Sequence, residues 1–206
     1  KLNIGYVFCE DEISDGLLAL DFGMEDLFKD LMKLNIKNIK KYNFDNLVVL
    51  DPHSYYCFIK EYEKFGCKLN FEVTYYIDFI ENNISSIMVK KVEDKIKYFD
   101  PCILGRGMNI YETPRNILKN IFDKSDVDLN KNRKESYCCG GYISLFDSDL
   151  SNLISSNLMN EIKNFDSDTD VLITSCPLCS HNLENVKDNK KPKVYDISEY
   201  IAINMY

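Results

Sequence analysis

The chain has 206 residues, of which 45% are hydrophobic and 28% charged, and a formal net charge of −8. This composition is ordinary for one large or two small globular domains. The negative charge and the lack of a dense Lys/Arg block argue against binding to nucleic acid or an anionic membrane. No apolar run could span a bilayer and no signal peptide is evident, so we expect a soluble cytoplasmic protein. Lys1 is not a start methionine, and we expect a longer parent chain.

Short β-rich segments alternate with longer amphipathic segments from the N-terminus onward. In the first helix a stripe of five apolar side chains predicts one face packed on a core; its members are Met24, Leu27, Phe28, Leu31 and Leu34. The predicted strands of the first part are 4–8, 46–50, 71–75, 87–92 and 96–99, and the predicted helices are 23–42, 55–65 and 77–84.

The alternation continues in the second part of the chain. Helices are predicted at 114–122 and 145–165, a polar loop at 123–135 and a buried strand at 170–175, after which Cys176 and Pro177 begin another helix. Strands that alternate with helices favour parallel sheets covered by helices. The predicted fold class is therefore α/β.

An internal repeat relates the two halves. Residues 11–16 align with residues 135–140 at an offset of 124 positions, and residues 46–54 align with residues 170–179. The sequence thus predicts two related modules, residues 1–92 and residues 93–206, each a small, mostly parallel sheet flanked by helices.

Eight cysteines in a chain without export features indicate metal binding or redox chemistry rather than disulfides. Five of them fall at predicted strand ends or turns, which meet at one crevice in open α/β sheets; these are Cys102, Cys138, Cys139, Cys176 and Cys179. A helix N-terminus after Cys176 would stabilise thiolates. Gly140 and Gly141 would allow a sharp bend and supply amides to sulfur. We therefore predict that the five thiols bind one inorganic group.

The identity of that group is open at this point. Four thiolates suit either tetrahedral zinc or an iron–sulfur cluster. A fifth thiolate, together with a single Cys-x-x-Cys knuckle at Cys176 and Cys179, favours a larger iron–sulfur assembly. The zinc alternative would make the chain a non-catalytic, zinc-binding scaffold subunit of a larger complex.

Three segments resemble the cysteine-rich CCG-domain family: Asp100-Pro101-Cys102, Cys138-Cys139-Gly140-Gly141 and Cys176-Pro177-Leu178-Cys179. Its best-known member is the CCG-domain subunit of the heterodisulfide reductase of methanogens, and similar domains occur in thiol:fumarate reductase and glycolate oxidase iron–sulfur subunits. The resemblance extends over nearly the whole chain.

The resemblance implies that the five cysteines hold a [4Fe–4S]-type cluster, which is non-cubane in the heterodisulfide reductase branch. It also implies an oxidoreductase subunit that works with ferredoxin-like or flavin-containing partners. Its substrate would be a thiol or disulfide, such as the heterodisulfide of coenzyme M and coenzyme B. Around the ligands, His181 is expected to donate a hydrogen bond or carry protons, and Arg106 to anchor an anion.

The first module departs from this pattern. Ser14-Asp15-Gly16 and Asp51-Pro52-His53-Ser54 take the places of the two cysteine motifs, and their oxygen atoms are poor ligands for iron–sulfur chemistry. Residues 1–92 are therefore expected to be a degenerate, N-terminally incomplete copy, and residues 93–206 to hold a single site. His53 is expected to be a capping or surface group, and Cys9, Cys57 and Cys67 to be core residues.

Overall fold

The computed structural model describes residues 4–188 and 190–206, and the chain divides into two compact units, Lys1–Tyr76 and Ile77–Tyr206. Residues 77–92, which the sequence assigned to the first module, lie in the second compact unit. Each unit contains one parallel sheet with helices around it, so the predicted α/β class is confirmed.

The first unit is built on two parallel strands, which pair from Asn46 with Glu72 to Val49 with Tyr75. Its core includes Phe28 and Tyr62, both fully buried. The elements are α1 (Leu17–Asp21), α2 (Glu25–Ile39), β1 (Asn46–Val49), α3 (Pro52–Tyr56), a π-helical turn (Cys57–Glu61), α4 (Tyr62–Lys64) and β2 (Glu72–Tyr75).

The second unit carries a three-stranded parallel sheet, in which the strands lie side by side in their order along the chain. Its helical elements include the short turns that surround the cysteine motifs. In chain order they are α5 (Tyr76–Asn82), a 3-10 turn (Ile84–Ser86), β3 (Ile96–Phe99), a π-helical turn (Ile103–Gly107), α6 (Glu112–Phe122), 3-10 turns (Arg133–Glu135 and Gly141–Leu145), α7 (Ser148–Phe165), β4 (Val171–Thr174), α8 (Pro177–Glu184), β5 (Lys193–Asp196) and α9 (Ile197–Asn204).

The register of this sheet places the ends of its strands side by side. Phe99 pairs with Thr174, and Thr174 pairs with Asp196, at the last residue of each strand. The central strand β4 is buried throughout, as the apolar run predicted. Segments that follow the three strands therefore leave the sheet at one common edge.

Two predicted strands are wrong. Residues 4–8 are irregular and largely exposed, with Tyr6 79% and Phe8 72% accessible, and residues 87–92 contribute one isolated bridge, from Val89 to Met205. Both segments have the composition of a strand, but β-structure is stable only when a neighbouring strand pairs with it.

The predicted stripe of helix α2 is also partly wrong. Phe28 is buried, whereas Met24, Leu27 and Leu34 are exposed. The buried face runs through Met32 and includes two polar residues, Asn35 and Asn38. Their side chains donate to the Ser14 and Asp11 carbonyl oxygens, so the face that meets the core is set partly by hydrogen bonds that periodicity does not report.

No helix among the described residues is both long and apolar enough to cross a membrane.

Candidate metal centre

The five predicted ligands lie at the carboxyl edge of the three-stranded sheet or in a turn beside it. Cys102 follows β3, Cys176 is the N-cap of α8 directly after β4, and Cys179 lies in the first turn of that helix. Pro177 occupies the first turn of α8, where its missing N–H costs nothing. The Cys138-Cys139 pair comes from the turn that precedes α7. The sheet edge thus gathers residues that are up to 77 positions apart in the sequence.

The sulfur atoms form one continuous chain of contacts. Cys139 Sγ lies 3.0 Å from Cys179 Sγ. Cys138 accepts hydrogen bonds from both Cys102 and Cys139, and Cys179 donates one to Cys176. Three of the five, Cys139, Cys176 and Cys179, are at most 4% exposed, Cys102 is half-buried and Cys138 is exposed. The cluster is therefore closed on the protein side and open at Cys138.

The contacts between the sulfur atoms shift the pKa values of the thiols in opposite directions. Hydrogen bonds from Cys102 and Cys139 lower the pKa of Cys138, and the Gly140 amide and the Arg106 charge act in the same direction. The hydrogen bond to Cys138 raises the pKa of Cys139 to about 12, and sulfur contacts with burial raise the pKa of Cys102 and Cys179. A soft metal needs thiolates, so its uptake would release the protons that these thiols share.

The two glycines after the cysteine pair are both required by the geometry of the turn. Gly140 has φ +82°, and a Cβ there would come within 2.9 Å of the Ser151 carbonyl oxygen. A Cβ on Gly141 would meet Leu178 at 2.9 Å. Their amides donate to sulfur, Gly140 N to Cys138 Sγ and Gly141 N to Cys139 Sγ, each at 3.3 Å.

Two polar side chains that the sequence did not single out hold this turn. Asn182 Nδ2 donates to the Cys139 carbonyl oxygen at 2.7 Å. Ser151 Oγ donates to the Gly140 carbonyl oxygen at 2.9 Å and lies 3.2 Å from Asn182 Oδ1. The sequence signal that could have identified Ser151 is its position, as a small polar residue, on the buried face of α7. A search for apolar periodicity counts such a residue only as a gap in the apolar face.

A buried ion pair supports the segment that leads to Cys102. Arg115 Nη1 and Nη2 each donate at 2.8 Å to one oxygen of Asp100. Both side chains are less than 10% exposed. Asp100 also accepts from the Arg133 amide, and Arg115 Nε donates to Asp128. Bidentate pairs fix geometry as well as charge, so this network orients the chain between β3 and its cysteine.

The two predicted polar neighbours of the cluster differ in position. Arg106 donates to the Ser136 carbonyl oxygen. Its charge helps to lower the pKa of Cys138 and opposes the rise in the pKa of Cys102, which places it near the open side. His181 is exposed, and its Nε2 lies 3.2 Å from Asn185 Nδ2. The hydrogen bond that the structure gives His181 thus runs along α8, and a role toward the cluster stays a prediction.

The remaining cysteines lie in the first unit. Cys57 is fully buried in its core, and Cys9 and Cys67 are half-buried against the same core. All eight cysteines are among the described residues and all are free thiols. In the described ranges, no three or more His, Cys, Asp or Glu side chains have the arrangement of a site for a single metal ion.

The first unit reproduces the hydrogen bonds of the cysteine turn with oxygen in place of sulfur. Gly16, 124 positions before Gly140, has φ +90°, and its amide donates to Ser14 Oγ at 3.2 Å. The Leu17 amide donates to Asp15 Oδ1 at 2.7 Å. Ser54 Oγ donates to Asp15 Oδ2 at 2.5 Å, in the place of the contact between Cys179 and Cys139.

Residues 51–54 of the first unit correspond to the Cys-x-x-Cys knuckle, and their polar groups are likewise hydrogen-bonded to one another. Asp51 Oδ1 accepts from the amides of His53 and Ser54 at 2.9 and 3.0 Å. Burial alone would raise the pKa of Asp51, but the hydrogen bonds from His53 and Ser54 lower it. His53 Nδ1 lies 3.5 Å from Asp51 Oδ1. This agrees with a role for His53 at the helix start.

Residues 96–184 match the family CCG, described as a cysteine-rich domain. The resemblance found in the sequence is thereby confirmed, and the matched residues contain all five cysteines of the contact chain.

Three curated relatives align with most of this chain. A probable membrane-anchored ferredoxin of Chromohalobacter salexigens is 28% identical over 95% of the chain. The probable iron–sulfur-binding oxidoreductase FadF of Bacillus subtilis is 28% identical over 87%. The dihydromethanophenazine:CoB–CoM heterodisulfide reductase of Methanosarcina acetivorans has one subunit that is 26% identical over 98%. The chain spans 30%, 26% and 51% of the lengths of these relatives, respectively.

Proposed function

We propose that this chain is an iron–sulfur redox subunit in which Cys102, Cys138, Cys139, Cys176 and Cys179 hold a [4Fe–4S]-type cluster. The contact chain of five sulfurs at one sheet edge carries the proposal. The donor set fits the group, because thiolates are the usual ligands of iron–sulfur clusters and backbone amides already point at two of the sulfurs. The names of the relatives, an iron–sulfur-binding oxidoreductase and a heterodisulfide reductase among them, support it.

The residues around the five sulfurs have different roles on the inner and the outer side of the site. When bound, the cluster would supply one-electron chemistry to a sulfur-containing partner molecule. Cys139, Cys176 and Cys179 are buried and exclude water from the inner side. Cys138 and Arg106 are exposed on the outer side, where a guanidinium can attract an anionic thiol or disulfide. We propose that such a substrate approaches there.

We also propose that partner subunits or domains exchange electrons with this chain, because its relatives are longer proteins or subunits of complexes. The proposal also assigns the protein to the cytoplasm, where free thiols persist. Whether the substrate is the heterodisulfide of coenzyme M and coenzyme B or a similar disulfide is part of the same proposal. The activity of the isolated chain is expected to depend on those partners.

Metal analysis of oxygen-free protein tests the proposal. We expect about four iron atoms and acid-labile sulfide per chain, brown colour and a paramagnetic signal in one redox state. Cys176→Ser should lose most of the iron, whereas Cys67→Ser, a change outside the contact chain, should keep it. About one zinc per chain without visible absorbance would overturn the redox function and support the zinc scaffold.

A further inference from the structure

One buried polar atom of the second unit has no partner in the protein. Among the buried side-chain nitrogen and oxygen atoms of the described residues, Thr174 Oγ1 alone lacks a hydrogen bond. Thr174 is fully buried at the end of the central strand β4. Native proteins rarely leave such a hydroxyl unsatisfied, because burying it unpaired destabilises the fold. An unpaired hydroxyl of this kind indicates a hydrogen-bond partner outside the protein chain.

The pleat of β4 shows which way this hydroxyl faces. Side chains two residues apart share one face of a strand, so Thr174 lies on the face of Leu172 and Cys176. Leu172, Cys176 and Phe99, the strand neighbour of Thr174, belong to one core cluster that also contains Cys139 and Cys179.

The next residue along the strand shows the contrast. Ser175 faces the opposite side, where its Oγ lies 2.6 Å from the Tyr98 hydroxyl. Of these two successive hydroxyls, the one that is satisfied within the protein points away from the cysteines. The one without a partner is on the cysteine side.

We propose that the Thr174 hydroxyl donates a hydrogen bond to a sulfur atom of the cluster held by the five cysteines and raises its reduction potential. The inference rests on the proposed function. Reduction adds negative charge that is shared by the sulfurs, and a donor to sulfur stabilises that state more than the oxidised one. Thr174 is thus a tuning residue that acts on the cluster and is not itself a ligand.

A Thr174→Val substitution keeps the shape of the side chain and removes its hydroxyl. We expect it to leave the iron-free protein at least as stable as wild type but to lower the reduction potential of the iron-loaded protein. In iron-free protein the variant should unfold at the same or a higher temperature than wild type, because an unsatisfied hydroxyl is gone. In the iron-loaded protein its midpoint potential should be more negative. Thr174→Ser should restore the wild-type potential. A matched control is Ser155→Ala, which removes a buried hydroxyl that already donates to the Asn152 carbonyl oxygen and should leave the potential unchanged.

Redox titration followed by paramagnetic resonance, with a thermal melt of the iron-free chains, measures both effects. Equal reduction potentials in iron-loaded wild type and Thr174→Val would overturn the role of Thr174 and leave the proposed function unaffected. A lower melting temperature, or failure to fold, of iron-free Thr174→Val would also overturn it, since the hydroxyl would then have a protein partner. A wild-type chain that takes up no iron would overturn the proposed function together with the role of Thr174.

Discussion

At the scale of single residues, Gly140 has the strictest conformational requirement of the cysteine turn. Gly140→Ala would place a Cβ at φ +82°, 2.9 Å from the Ser151 carbonyl oxygen, and we expect it to destabilise the second unit by about 2 kcal/mol and to reduce iron binding. Denaturant unfolding and iron content measure the two effects. Gly66→Ala is the control, because Gly66 has φ +79° with no atom within 4 Å of the added Cβ. Iron binding equal to wild type in Gly140→Ala would contradict this role.

The ion pair behind Cys102 leads to a second prediction. Arg115→Leu removes one partner and leaves Asp100, 2% exposed, without its bidentate donor. Breaking a buried pair in this way costs about 3–5 kcal/mol, so a loss of that size is expected in the free energy of unfolding. Lys119→Ala on the exposed face of α6 should change it by no more than about 0.5 kcal/mol. A similar, small loss in both variants would show that the network does not stabilise this segment.

The convergence of the five cysteines at one end of the sheet could be predicted from the sequence, but the side chains that position them could not. Cysteine spacing and adjacent glycines are local patterns, and their convergence follows from where parallel strands end. The contacts of Arg115 with Asp100 and of Asn182 with the Cys139 carbonyl oxygen join different elements. No motif or periodicity encodes such pairs, and only the packing of α6 and α8 shows them.

At the scale of secondary-structure elements, the predictions held where a segment has a partner to pack or pair with. The buried strand β4 and the helix that begins at the Cys176 knuckle were predicted from sequence, because apolar runs and a proline at a helix start are strong local signals. Residues 4–8 have the same strand-like composition and form no strand. Local propensity therefore identified candidate strands but could not supply the neighbouring strand that each one requires.

The oxygen-based turn of the first unit gives a prediction for one hydrogen bond between elements. Ser54→Ala removes the donor to Asp15 Oδ2, and hydrogen bonds to charged groups contribute about 1.5–3 kcal/mol. Amide hydrogen exchange of residues 14–17 and 51–57 should therefore become faster, with residues 171–184 unchanged. Ser85→Ala, at an exposed serine, is the control. Unchanged exchange in Ser54→Ala would mean that the Asp15 contact does not hold the turn.

Because the two turns have matching hydrogen bonds, we predict that cysteines introduced into the turn and knuckle of the first unit would bind a metal ion. The combined variant Ser14→Cys, Asp15→Cys, Asp51→Cys and Ser54→Cys places thiols at the positions equivalent to Cys138, Cys139, Cys176 and Cys179. We expect it to bind about one more Co²⁺ per chain than wild type, with thiolate-to-cobalt absorption. The same variant without the Ser54 change should bind the extra ion more weakly. No gain in bound cobalt by the folded fourfold variant would refute the equivalence of the turns.

At the scale of the whole molecule, we expect the stability of the two units to depend differently on a bound metal. The first unit satisfies its turn and knuckle with hydrogen bonds from Ser54, His53 and backbone amides. The second unit presents five contacting thiols at the equivalent edge, and a group that binds only the folded state adds its binding free energy to the stability of that unit. We therefore expect the turn of the first unit to be stable without a metal and the turn of the second unit to be stabilised by the proposed cluster.

Removal of the metal should therefore affect the two units unequally. Hydrogen exchange of oxygen-free protein, compared before and after chelation, should show faster exchange in residues 96–184 by the equivalent of about 3 kcal/mol, the stabilisation given by a ligand at about a hundred times its dissociation constant. Residues 14–57 should exchange at the same rate in both samples. The Cys139→Ser variant, which lacks one of the proposed buried ligands, should already exchange fast in residues 96–184 and respond little to the chelator. Equal acceleration in both ranges would show that the first unit also depends on the metal, and the oxygen-based turn would then not be self-sufficient.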